Sequence, residues 1–157
     1  RDHGVKIVHI AETVPEDDEV TRILIESFYE GVAAAEIFKH RKNVMRGLSY
    51  NAERAIYNGI RILGYRGEPD KKYEIDETTA EIVRKIFNEF EMGVSLTDIC
   101  SGLNKKGLTT IHGNNFTINA LRHILQNKAY IGVYKWGDIV VPDGMPRIID
   151  DKTFETV

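Results

Sequence analysis

Residues 18–58 read DEVTRILIESFYEGVAAAEIFKHRKNVMRGLSYNAERAIYN, a stretch without a proline. Its apolar residues recur three or four apart: Val20, Ile23, Leu24, Phe28, Val32, Ala35, Phe38, Met45, Leu48, Ala52 and Ala55. That is the period of an amphipathic helix, and Pro15-Glu16-Asp17-Asp18 supplies an acidic start suited to a helix N-terminus. Unbroken, such a helix is about 60 Å long at ~1.5 Å per residue. It outruns any core that 157 residues build, so part of it leaves the globule. Its charge changes sign along the way. Glu16, Asp17, Asp18, Glu19, Glu26 and Glu30 dominate the first half, and Lys39, Arg41, Lys42, Arg46 and Arg54 the second. One reading is a solvated helix with uneven charge. The sharper one is a connector whose first half packs on protein and whose second half lies along something anionic.

Composition is that of an ordinary globular protein, 42% hydrophobic and 29% charged. No apolar run approaches the ~20 residues of a membrane span, and no signal peptide is expected in this stretch. The single cysteine, Cys100, excludes an internal disulfide framework and a multi-cysteine zinc site. It sits among Leu96, Ile99 and Leu103 at helical spacing, as a buried structural thiol does. A reducing cytoplasm fits this usage.

The net charge of −3 hides a pattern. From Lys39 to Arg66 seven basic residues face one acidic one, and from Ser101 to Trp136 five basic residues face none. Two basic segments in an otherwise acidic chain form a local electrostatic footprint, and a phosphate backbone meets the local field rather than the average.

Along the chain, Val5, Ile7, Val8 and Ile10 read as a short strand after Gly4 with no sheet to join, as in a domain cut inside its fold. Asn58-Gly59 is expected to end the long helix, and the turn formers Gly64 and Gly67-Glu68-Pro69-Asp70 extend a linker to about Lys72. A helix follows over 77–90, capped by Asp76, buried through Ala80, Val83, Ile86, Phe87 and Phe90, and stopped by Gly93. Ser95 caps a second over 96–105, with Asp98 in its first turn and Gly107 after it. Thr117 caps a third over 118–125. Residues 130–135 and 139–141 alternate apolar and polar across Gly137-Asp138, a β-hairpin pattern.

The expected fold is therefore mainly α: a long connecting helix followed by a small winged helix-turn-helix-like domain with a β-hairpin. The competing reading is a small helical domain that binds protein or nothing. Two features favour DNA. The third helix presents Asn119, Arg122 and His123, types that reach base edges and phosphates, with Asn115 and Thr117 just before it. The hairpin carries Lys135 and Trp136, which a wing lays on a backbone. No phosphate loop, dinucleotide fingerprint, HExxH motif or Ser/His/Asp arrangement is present. The histidines are scattered, and Asp17-Asp18 and Asp150-Asp151 read as acidic helix starts and turns. No cofactor is expected.

Taken together the residues resemble the large serine recombinases, the site-specific integrases of the resolvase/invertase class. The resemblance is carried by His3-Gly4-Val5 and its strand, Val44-Met45-Arg46-Gly47-Leu48 with Asn51-Ala52, Gly59, and Gly64-Tyr65. It continues through Tyr73 with Ile75-Asp76, Ile82-Val83 with Ile86-Phe87, Gly93 with Ser95 and Ile99, and Leu103-Asn104 with Gly107. Phe116, Leu121, Leu125 with Asn127, and Tyr130 with Gly132 complete it.

The resemblance implies that residues 1–30 end a truncated α/β catalytic domain, the short strand being left over from it. Residues 18–58 are then a linking and dimerisation helix, 60–142 a recombinase DNA-binding domain, and 143–157 the start of the next segment. It implies double-stranded attachment-site DNA as partner, self-association as dimer and tetramer in the full-length protein, and no membrane. Cleavage would pass through a 5′-phosphoserine whose nucleophile lies upstream of Arg1, so this fragment is expected to be inactive alone. Ser27, Ser49, Ser95 and Ser101 are not candidates for it. Lys39, Arg41, Lys42, Arg46 and Arg54 would follow the DNA backbone, and Arg61 and Arg66 would enter a minor groove. Two departures stand out. Ala34, with Glu36 two residues on, occupies the place of the family's glutamate in the long helix, and the cysteine-rich zinc ribbon has no counterpart. Two rival readings stay open: a non-catalytic helix-turn-helix regulator, and a coiled-coil interaction module.

Overall fold

A computed structural model describes residues 19–157. The expected strand around Val5–Ile10 and most of the expected catalytic remnant lie outside the described residues. The chain divides into two compact units, 1–45 and 46–157. The elements in order are α1 (Glu19–Glu53), β1 (Tyr65–Arg66), β2 (Glu74–Ile75), α2 (Glu77–Glu91), α3 (Leu96–Lys105), α4 (Ile118–Leu125), β3 (Tyr134–Trp136), β4 (Ile139–Val141) and α5 (Asp151–Thr156). The architecture is mainly α with two small antiparallel hairpins, β1–β2 and β3–β4.

In the first unit the described residues belong to α1. Val20, Leu24, Phe28, Ile37 and Phe38 are each about two-thirds exposed, so the first half of this helix is not packed on protein among the described residues. Ala52 is the one buried residue of α1.

The helix stops earlier than its composition suggests. It ends at Glu53, with Ala55 in the left-handed region at φ 54° and the Ile56 N–H donating to the Asn51 carbonyl. The Ala55 N–H donates to Ala52, completing a Schellman motif in which alanine holds the position glycine usually takes. Asn58-Gly59, expected as the stop, lies beyond it. Asn58 turns back instead, its Nδ2 donating to the Leu48 carbonyl at 2.7 Å.

The stretch expected as a linker is part of the core. Leu63, Tyr65 and Tyr73 are buried, and Tyr57, Tyr65, Tyr73 and Tyr134 stack edge to face or tilted across it. Three of these rings place their hydroxyls on backbone carbonyls. Tyr73 donates to Ile60 at 2.6 Å, Tyr134 to Ile56 at 3.0 Å, and Tyr65 to Ala129 and Pro146 at 2.8 Å each. Gly64, at φ 89°, holds a backbone conformation that side chains with a Cβ rarely adopt, and a Cβ there would lie 2.8 Å from Ile148 Cδ1, which would have to shift.

Helices α2, α3 and α4 appear where capping and periodicity place them. Asp76, Ser95 and Thr117 accept from the N–H groups of Thr78, Asp98 and Ala120. Their apolar faces meet in one core: Ala80, Val83, Ile86 and Phe87 of α2, Ile99 and Leu103 of α3, Leu121 and Leu125 of α4. Residues 128–131 form a 3-10 turn capped by Asn127, so the strand expected from residue 130 opens later, with Gly132 at φ 97° reversing the chain into β3. The hairpin proper pairs Tyr134 with Val141, Lys135 with Val140 and Trp136 with Ile139. Residues 143–157 pack within the second unit. Met145, Ile148 and Ile149 are buried, and Phe154 of α5 stacks on Phe87 of α2 at 6.1 Å.

Candidate nucleic-acid interface

Helix α4 turns Leu121 and Leu125 inward, which sends Asn119, Arg122 and His123 outward together, three and four residues apart. All three are exposed. Arg122 Nη1 donates to Asn119 Oδ1 at 3.3 Å, so the guanidinium and the amide lie side by side. Asn115 and Thr117 are exposed at the N-terminal end of the same helix. The Thr117 hydroxyl is committed to the cap, accepting from the Ala120 N–H at 3.2 Å. The preceding loop folds on itself, with the Thr110 N–H donating to the Asn114 carbonyl at 2.8 Å.

The hairpin residues divide. Lys135 is exposed on β3, whereas Trp136 is half-buried against the core, a packing residue first. Lys128, which the sequence did not single out, is exposed and lines a shallow cleft with Lys135, Gln126 and Val140. Its only sequence signal was membership of the acid-free segment.

Arg61 and Arg66 line a second cleft with Tyr57, Tyr73, Asp76 and Ile111. They differ in freedom. Arg66 lies on β1 and donates to Glu74 on β2 at 2.7 Å, with Glu68 also close. That hydrogen bond and charge hold its guanidinium above the usual arginine range. Arg61 has no ion-pair partner among the described residues.

Lys39, Arg41 and Lys42 are exposed on α1 in the first unit. Arg46 and Arg54 are exposed in the second. Arg54 is ordered by its neighbour, its guanidinium 3.5 Å above the Tyr50 ring and its Nη1 donating to the Tyr50 carbonyl. Among the described residues no cluster of histidine, cysteine and acidic side chains suits a metal, and no helix is long and apolar enough to cross a membrane. The Ser95 hydroxyl donates to Asp98 Oδ2 at 2.6 Å and accepts from the Asp98 N–H at 3.2 Å.

Comparison with known proteins gives three findings. A family profile described as Recombinase matches residues 77–157. A crystal structure of an LSR–DNA complex is similar at a TM-score of 0.57 and 25% identity, over 72% of this chain and 35% of that one. A structure concerned with the sequence requirements of the Listeria innocua prophage attP site is similar at 0.55 and 25% identity, over 72% and 48%. The chain thus spans a third to a half of the length of those two proteins. No curated protein matches it.

Proposed function

The chain belongs to the Recombinase family, and from that premise we propose that residues 46–157 are a DNA-binding unit of a large serine recombinase, with α4 reading the major groove. The observation that carries this reading is the exposed triplet Asn119, Arg122 and His123 on a capped helix whose opposite face is locked into the core. In this reading α3 and α4 form the helix-turn-helix and the β3–β4 hairpin the wing. Arg122 contacts a guanine edge or a phosphate, and Asn119 suits the paired donor and acceptor of adenine. Asn115, Lys135 and Lys128, all exposed, are proposed to meet backbone phosphates, which set register without reading sequence.

Lys39, Arg41, Lys42, Arg46 and Arg54 are proposed to follow the duplex backbone. Arg61, exposed and without an ion pair among the described residues, is the better minor-groove candidate of the loop pair. Arg66 would first surrender its bond to Glu74. The strand cleavage, exchange and rejoining through a phosphoserine belong, in this proposal, to the complete recombinase, and DNA placement belongs to this part.

The test is a titration of the chain against duplexes carrying inverted-repeat half-sites and against scrambled duplexes, over a range of salt. Tighter binding to one half-site is expected, with log affinity falling steeply in log salt, by about 0.9 per phosphate contacted. Absence of binding at low salt overturns the reading.

A further inference from the structure

One side chain ties the two helices of the α3–α4 pair together through main-chain atoms. Asn104, in the last turn of α3, holds both backbone groups of Phe116. The Phe116 N–H donates to Asn104 Oδ1 at 2.8 Å, and Asn104 Nδ2 donates to the Phe116 carbonyl at 3.0 Å. The Cys100 thiol adds a third bond, donating to the same carbonyl at 3.0 Å. A planar amide offers one donor and one acceptor side by side, matching a peptide's own pair, and no hydroxyl or carboxylate reproduces that at neutral pH.

The position of this clamp matters. Phe116 is 2% exposed and stands immediately before Thr117, the cap of α4. The loop between the helices bonds chiefly to itself, through the Thr110–Asn114 and Gly113–Thr110 main-chain pairs. Leu103, Phe116 and Leu121 supply buried apolar area, which holds the helices together without direction. Directed bonds fix an angle, and among the described residues those from α3 to the start of α4 converge on Phe116.

We infer that Asn104 is a positioning residue for DNA readout, setting the angle at which α4 leaves Phe116 and so the alignment of Asn119, Arg122 and His123 with base edges. It acts through Phe116 and does not touch DNA itself. The inference rests on α4 being the reading helix. Loss of alignment weakens geometry-dependent base contacts and leaves phosphate contacts, which tolerate small rotations, nearly intact.

The experiment uses the 157-residue chain, its N104L and N104D variants, and two probes: a duplex that the unaltered chain enriches from a randomised library, and a scrambled duplex. Binding is measured well below each variant's Tm, with exchange of the Phe116 amide followed in parallel. N104L, which keeps volume and loses both bonds, is expected to bind the enriched duplex about tenfold more weakly and the scrambled one nearly unchanged. N104D keeps the acceptor for the Phe116 N–H but sets a carboxylate against the carbonyl, and is expected to lose preference as well. Should N104L fail to fold, N104D carries the same readout. A lowered Tm with the preference ratio intact overturns the inference, because Asn104 then only stabilises the fold. If the unaltered chain enriches no sequence, the DNA-reading proposal falls and this inference with it. If it enriches one and both variants keep full preference, the inference alone falls.

Discussion

Tyrosines hold the second unit together at the scale of single residues. Burial pushes the Tyr65, Tyr73 and Tyr130 hydroxyls far above their ordinary range, with neighbouring tyrosines adding to the effect at Tyr73 and Tyr130. A folded-state value raised above the unfolded one contributes stability that is complete below the ordinary tyrosine pKa near ~10 and is lost as pH climbs through the folded value. Alkaline titration followed at the phenolate absorbance band is therefore expected to leave a class of tyrosines protonated until the near-UV circular dichroism collapses. Complete phenolate formation in a chain that keeps its tertiary signal would contradict the packing described for these rings. Among the cations, the expected contrast is between Arg122 and Lys42. Arg122→Ala should cost about 1–3 kcal/mol on the preferred site and relax preference at one or two base pairs. Lys42→Ala should weaken all duplexes alike and lower the salt slope by about 1. Equal effects of both variants on every duplex would remove α4 as the reading helix.

Helix boundaries show what individual elements owe to local chemistry. Ser95 and Thr117 play the same capping role on neighbouring helices, each accepting a backbone N–H at 3.2 Å. Their loss should separate stability from recognition. Ser95→Ala and Thr117→Ala are each expected to lower stability by about 1 kcal/mol. Thr117→Ala should additionally reduce preference for the selected duplex, because it frees the first turn of α4 beside Asn119. Comparable DNA effects from both variants, measured at matched distance from Tm, would detach the cap of α4 from readout. The end of α1 teaches the opposite lesson. Glycine at Asn58-Gly59 marks a stop that the helix has already made at Ala55, a residue that rarely takes positive φ. Ala55 bears that strain while 1% exposed, in contact range of the segment around Gly144. Tertiary packing chose the boundary, and propensity did not reveal it.

At the scale of the molecule, the buried core among the described residues runs from Ala52 to Ile149. Residues 46–157 alone are accordingly expected to unfold cooperatively, with a Tm within a few degrees of the longer chain, since among the described residues the deletion removes mostly exposed helix and no buried core residue. Non-cooperative melting of 46–157 would show that the first unit contributes to that core. The same shortened chain should retain preference among duplexes while losing part of the salt slope, because Lys39, Arg41 and Lys42 go with the deletion.

Helices α2, α3 and α4 were legible in residue order alone. Their caps, Asp76, Ser95 and Thr117, and their three-to-four spacing of apolar residues are local signals, decided within a turn or two of chain. The outward triplet of α4 followed from the same spacing, and the basic segments from simple charge order. The fate of 56–73 was hidden, because Gly, Pro and Asp make turns whether those turns lie in a free linker or wrap a core. Only the distant partners decide which: the Tyr65 hydroxyl on Ala129, the Tyr134 hydroxyl on Ile56, and the Tyr134 ring against Tyr73. The 3-10 turn at 128–131, the docking of α5 through Phe154, and the grip of Asn104 on Phe116 were hidden for the same reason. Sequence by itself determined the elements governed by neighbours in the chain; the tertiary structure alone decided those governed by contacts that loop closure must first bring together.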